Sequence, residues 1–328
     1  MLILTTTQAL WIIDPDRAQA WLIDTGKGVY YGVTIYQGEL FVAARQATYG
    51  SDREPQNNII LRYDSELRLR EILRPLVHPI RDVHQIATWD GVLYVTSTFD
   101  DLLFEFDIGS GQWSQWSPFD LDEPGLGKNR HHINSVQLTD DRITLAGLKP
   151  QGWAASFDRI SRSLIEKIDL GDGTHNVWWS NGIDSVCSSN EGAIATSDGR
   201  SVCVHDDAWL RGYCESRGRR FVGGSQTRMR SDRAFSDCVI FEIDRDSCVT
   251  RSLIIDGAGM LHDLRALDSP DRIAHNGEIF PVDVETLNKR FVKRELMTDL
   301  TRFTSPGDHR STIHDRIRRF FLGAPRAR

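Results

Sequence analysis

Apolar and polar residues alternate along most of this chain in short runs of four to eight, broken by turn residues, which is the period-two pattern of antiparallel strands. The clearest set covers residues 82–90, 91–99, 101–108 and 112–119. Its breaks are Asp90-Gly91, Asp100-Asp101 and Gly109-Ser110-Gly111, and the first and last of these are hairpin chemistry. Four short antiparallel strands in succession are one blade of a β-propeller.

The same rhythm continues in residues 30–76, 132–170, 175–206 and 211–256, and begins again at His262. Two of these units are related in sequence. Residues 31–64 superimpose without a gap on residues 211–244 with ten identities, among them Gly32/Gly212, Gly38/Gly218, Phe41/Phe221, Gln46/Gln226 and the paired Ser-Asp-Arg of 51–53 and 231–233. Repetition of this length signals a propeller or a solenoid. First-strand markers at Tyr31, His84, His132, His175, Arg211 and His262 lie 53, 48, 43, 36 and 51 residues apart. A blade takes about 40–50 residues.

The reading is therefore an all-β chain, a single six-bladed β-propeller over residues 1–298. Its N-terminal runs at 2–13 and 18–23 complete the last blade, a closure that removes the exposed sheet edge. Five blades result if the short unit at His175 is not independent, and seven if residues 280–296 form a degenerate blade. In the tail, residues 299–328, Ile313, Ile317, Phe320 and Phe321 fall at helical spacing among Arg316, Arg318 and Arg319, and predict a short helix packed on the propeller's side.

Composition narrows the partners. A net charge of -7 over 328 residues argues against nucleic acid and against an anionic membrane surface. The five cysteines are odd in number and lack zinc-ribbon spacing, so they read as reduced, buried thiols. The N-terminus shows no basic region followed by an apolar core, and no apolar run is long enough to span a bilayer, so a cytoplasmic location is expected.

Candidate chemistry gathers where propeller topology brings first-strand starts and second-to-third loops to one mouth. His84, His175 and Tyr31 each stand seven residues before a hairpin glycine, and His132 and His262 occupy matching places in their own units. His131 competes with His132, because alternation sends the two to opposite faces. Four histidines on four blades, His84, His132, His175 and His262, are a metal-site pattern suited to iron, zinc or manganese. Equally, they could line a water-filled channel. Arg53, Arg81, Arg130, Arg211 and Arg233 would gather positive charge at the same mouth, with Gln46, Gln226 and Tyr31 beside them, to bind a small anionic molecule. Each arginine could instead pair with an acid of its own loop. Asp52 and Asp232 are the nearest acid–base candidates.

The stretches Phe221-Val-Gly-Gly-Ser-Gln-Thr-Arg, Cys238-Val-Ile-Phe-Glu-Ile-Asp and His262-Asp-Leu-Arg-Ala resemble a family of bacterial proteins expected to be propellers, and the likeness runs over residues 25–285. It implies a fold and no reaction. In architecture the chain is similar to carotenoid-cleaving oxygenases, which hold iron with four inner-strand histidines but are longer and have apolar tunnels. It is also similar to sugar lactonases, whose Glu, Asn and Asp ligands have no counterparts at these positions. The expected function is a metal-dependent lyase, lactonase or isomerase acting on a sugar-acid-like anion. The rival is a non-catalytic scaffold that binds a protein or glycan on the same face.

Overall fold

Six antiparallel sheets form a ring, a six-bladed β-propeller. This is a computed structural model, and it describes residues 1–46, 58–76, 78–119, 129–180, 182–226, 230–271 and 278–298. The inner strands of blades 1 to 5 are Val29–Tyr36, Ile86–Trp89, Ile133–Leu138, Thr174–Ser180 and Ala208–Ser216. Each is followed by the three outer strands of its own sheet.

Blade 6 is composite. Its inner strand Leu261–Ala266 pairs with Leu2–Thr6, and Ala9–Asp14 and Gln19–Thr25 follow outward. Residues 280–296 form no seventh blade. They hold one short helix, α1 (Val284–Arg290), and a strand, Val292–Glu295, that pairs with Gln19–Thr25 as a fifth member of blade 6. Asp283 caps α1 by accepting from the backbone N–H groups of Glu285 and Thr286. Buried Leu287 docks the helix between blades 6 and 1. The helix expected around residues 313–321 lies outside the described residues.

Three two-residue hairpins, Gln37-Gly38, Asp90-Gly91 and Arg217-Gly218, have positive φ at both positions. This is the type I′ geometry that matches strand twist, and it explains why Gly38 and Gly218 recur in the repeat.

Packing follows the alternation of side chains. Leu2 and Leu4 face Phe221, Ile240 and Leu253 of blade 5, whereas the intervening Ile3 faces Tyr30, Val33 and Val42 of blade 1. Both faces of every blade are covered in this way, with one apolar layer per blade boundary. That is why middle strands such as Ala9–Asp14 and Cys238–Ile243 read as near-continuous apolar runs. The outermost strands Leu69–Leu73 and Leu164–Asp169 are largely exposed. No helix among the described residues is long and apolar enough to cross a membrane.

Near the axis, polar groups replace apolar packing and bond each blade to the next. Gly32 N–H donates to the His84 carbonyl at 2.7 Å, and Val136 N–H to Gln85 Oε1 at 3.1 Å. Asn134 Nδ2 donates to the Thr174 carbonyl at 2.8 Å, and Gly212 N–H to Asn176 Oδ1 at 2.9 Å. Arg265 Nη1 donates to the Tyr213 carbonyl at 3.2 Å, and Val33 N–H to Asp263 Oδ2 at 3.1 Å. All six boundaries are bridged, which holds the axial side chains on a rigid frame.

Candidate functional site

The site originates in irregular strand pairing. In blades 1, 3, 4 and 5 the register between first and second strands shifts, at Tyr30/Val33, Ile133/Ser135, His175/Trp178 and Leu210/Tyr213. A bulge bends its strand and re-aims the side chains beside it. Here Tyr31 and Arg211 lie within bulges and His175 beside one, and the three reach a small axial cavity of about 10 Å³, bounded also by His84, His262 and Asp263. That is room for one water or one metal ion, and a sugar acid would have to sit above it.

Arg211 occupies the blade 5 side, almost wholly buried. Its Nη2 donates to His175 Nε2 at 2.7 Å and its Nη1 to His262 Nδ1 at 3.1 Å. A guanidinium only donates, so both ring nitrogens must be acceptors. The other nitrogens carry the protons. His175 Nδ1 donates to the Gly173 carbonyl at 2.6 Å, and His262 Nε2 to Thr7 Oγ1 at 3.3 Å. Each of these imidazoles thus gives its single lone pair to Arg211.

Across the axis, on the approaches to blades 2 and 3, lies a second group. A carboxylate oxygen of Asp82, a ring nitrogen of His84 and a ring nitrogen of His132 lie within 4.8 Å of one another. His132 Nδ1 is 2.8 Å from Asn129 Oδ1, which accepts its proton and leaves Nε2 as the basic nitrogen. His84 Nδ1 is buried without a hydrogen-bond partner among the described residues. Asp82, at φ 55°, is held by Arg45 Nη1 at 2.9 Å. Asp101 fixes the approach to His132 by accepting from the backbone N–H groups of Arg130, His131 and His132 at 2.6, 3.1 and 2.7 Å.

The choice between neighbouring histidines is settled by their rings. His132 packs edge-on against His84 with centroids 5.7 Å apart, whereas His131 stacks on Phe119 at 4.2 Å, away from the axis. The rings of Tyr31 and His262 lie 4.3 Å apart, and those of His84 and His175 5.8 Å apart. The structure therefore brings all four axial histidines together but divides them between two sets of partners.

The cationic residues are dispersed. Arg81 is committed to Asp100, which is buried, and lies over the Phe99 ring. Arg130 is exposed. Arg233 lies 5.3 Å over the Trp209 ring, which is 6.4 Å from His175, and Asp232 shares its 3-10 turn, Arg230–Phe235. Gln226 is buried at the end of its strand, and Gln46 is exposed and accepts from Arg74 at 3.3 Å. Asp52 and Arg53 lie outside the described residues.

Burial keeps the axial imidazoles neutral. It lowers His132 to about 3, and it lowers His175 and His262 well below the ordinary histidine value, with the Arg211 charge adding to the effect. His84 is lowered by burial against the opposing pull of Asp82. Burial alone would raise the Asp82 carboxyl, but the close His84 ring, 3.7 Å away, and the charge of Arg45 outweigh it and hold the group ionised. Neutral imidazoles beside a carboxylate are the donor set a divalent metal requires.

Asp82 and Arg45 were not among the residues that sequence singles out as a site. The available signal was the spacing Asp82-x-His84, together with Arg45 immediately before the repeated Gln46. Gln85, Asn134, Asn176 and Asp263, beside these histidines in sequence, join the blades.

No protein-family model matches the chain, and no curated protein matches it in sequence. Among solved structures it is similar to a chain in the crystal structure of a nidogen/laminin complex, with TM-score 0.58 and 9% identity over 80% of this chain and 97% of that one. It is also similar to the computationally designed Ika8 protein, with TM-score 0.43 and 12% identity over 79% and 78% of the two chains. The first likeness is one of fold alone.

Proposed function

We propose that the axial mouth is a metal site at which Asp82, His84 and His132 hold one divalent transition ion, iron, zinc or manganese, and that it acts on a small polar anion. The observation that carries this reading is the grouping of an ionised carboxylate with two neutral imidazoles, one of whose buried nitrogens has no partner among the described residues. Two histidines with one carboxylate leave coordination positions open, as catalytic rather than structural sites do. A bound ion would supply a Lewis acid or an activated water, as lyase, lactonase or isomerase chemistry requires.

The chain's own residues have distinct parts in this. Arg45 orients the Asp82 carboxylate, and Asn129 sets the His132 tautomer. Arg211 and Arg233 make the potential at the mouth positive, which favours an anionic group such as the carboxylate of a sugar acid. Asp232, beside Arg233, is the described candidate for proton transfer.

The test is a titration of metal-free protein with Zn²⁺, Mn²⁺ and Fe²⁺, followed by calorimetry. A single ion per chain is expected, with binding lost in Asp82→Asn and in His84→Ala. A wild-type protein that binds none of the three overturns the reading. It would leave the same face to the rival function, a scaffold for a protein or glycan.

A further inference from the structure

We infer that Arg211 is a resident cation that withholds His175 and His262 from a bound metal, and so decides which of the axial histidines serve as ligands. The inference rests on the metal reading above. Its basis is the pair of contacts at 2.7 and 3.1 Å that join one guanidinium to the only basic nitrogen of each imidazole. The Gly173 carbonyl takes the Nδ1 proton of His175, with Ser189 on the same edge, and so fixes Nε2 as the acceptor; for His262 the guanidinium itself requires Nδ1 to accept, which leaves the proton on Nε2 toward Thr7. A ring flip or tautomer change would break a buried hydrogen bond in either case.

The rigidity of the surroundings makes this a choice of ligands and not a loose contact. Arg211 stands beside Gly212, whose N–H is bonded to Asn176, and the bulge between Leu210 and Tyr213 sets its direction. The related unit carries Tyr31 at the matching position, so the cation belongs to blade 5 alone. A positive charge bonded to two imidazoles also repels a divalent ion from their side of the axis. The ion is thereby confined to the Asp82, His84 and His132 side, with its open positions not filled by two further histidines. A site closed by four histidines and a carboxylate would hold metal more tightly but would exclude substrate.

The experiment is calorimetric titration of Zn²⁺ into wild type, Asp82→Asn, Arg211→Met and the double variant Asp82→Asn/Arg211→Met, with native fold checked by circular dichroism. Arg211→Met is expected to bind at least about tenfold more tightly than wild type, because two lone pairs are released. The double variant is expected to retain binding that Asp82→Asn alone loses. Equal or weaker binding by Arg211→Met, or no binding by the double variant, overturns the inference. If wild type binds none of Zn²⁺, Mn²⁺ and Fe²⁺ but Arg211→Met binds Zn²⁺, the inference stands and the metal reading of the native protein falls. If neither protein binds any of the three, both fall.

His175→Gln provides a measurement that keeps Arg211 in place. The amide oxygen of glutamine can still accept from the guanidinium, and the variant is expected to bind Zn²⁺ as wild type does. Loss of binding in this variant would make His175 a ligand and overturn the inference, even if Arg211→Met proved unable to fold.

Discussion

Arg45 of blade 1 donates to the carboxylate of Asp82, on the approach to blade 2, at 2.9 Å, so a largely buried ion pair joins two blades beside His84. Removing one partner leaves the other charged group poorly satisfied, which costs more than the pair itself contributes. Arg45→Met is expected to lower stability by about 2 kcal/mol near neutral pH. Adding Asp82→Asn should restore part of the loss. Urea unfolding of the two single variants and the double closes this cycle. Additive losses would mean that the two side chains do not depend on each other.

The inner strands meet so closely that a methyl group cannot be added at Gly32. A Cβ there would lie 2.5 Å from the backbone nitrogen of Ile86 and 2.8 Å from the His84 carbonyl oxygen. Gly32→Ala should therefore force blades 1 and 2 apart and cost about 2–3 kcal/mol, within the range for overpacking. At Gly38 the same substitution meets open space and only a φ of +73°, for about 1 kcal/mol. Thermal unfolding should rank Gly32→Ala well below Gly38→Ala. The reverse order would show that the inner strands separate freely.

The propeller was legible because its strands obey period two, its hairpins carry the glycines their geometry demands, and blades 1 and 5 retain a common sequence. The composite last blade followed from the two N-terminal strand runs. At the site, His175, Arg211 and His262 were legible as first-strand positions, whereas His84 and His132, expected in first strands, stand just before Ile86–Trp89 and Ile133–Leu138. The partners of these residues were not legible, because those depend on which way a side chain leaves a bulge. Period two places His131 and His132 on opposite faces without saying which is inward, and contacts with Phe119 and His84 decide it. Arg81 was expected at the mouth or on its neighbour Asp82. It pairs instead with Asp100, nineteen residues away, a contact created by the turn that follows Ser97. Arg45 came from the end of a second strand, where its place before the repeated Gln46 was the one mark that set it apart from an ordinary surface residue.

Cysteine burial makes a separate prediction. Cys187, Cys214 and Cys238 are buried, and Cys203 and Cys248 are exposed. Burial pushes the Cys187 thiol up to about 12 and the Cys214 thiol well above its ordinary value, so neither offers a thiolate near neutral pH. A disulfide-exchange reagent added to the native protein should modify Cys203 and Cys248, and the other three only after denaturation. Mass spectrometry of the labelled peptides would check this. Rapid labelling of Cys214 would mean that the boundary between blades 5 and 6 opens in solution.

Asp184 gives the protein a stability that depends on pH from outside the axial site. It is almost wholly buried in blade 4, and its Oδ1 has no hydrogen-bond partner among the described residues. Burial, with the charge of Glu166, raises its carboxyl to about 6 against the opposing pull of Arg142. In the unfolded chain an aspartate titrates near 3.9, so the native state binds the proton more tightly than the unfolded state does. Folding is therefore favoured by this group below about pH 4, and that advantage is lost as pH rises toward 6. Above pH 6 the charged carboxylate stays buried and the full penalty, about 3 kcal/mol, persists. Asp184→Asn has the shape of the protonated acid and no charge to bury. It should match wild type near pH 4 and exceed it by about 3 kcal/mol near pH 7, with the difference developing between those limits. Urea midpoints measured across that range would show the divergence. Parallel curves would place the Asp184 carboxylate in contact with water or a cation that neutralises it.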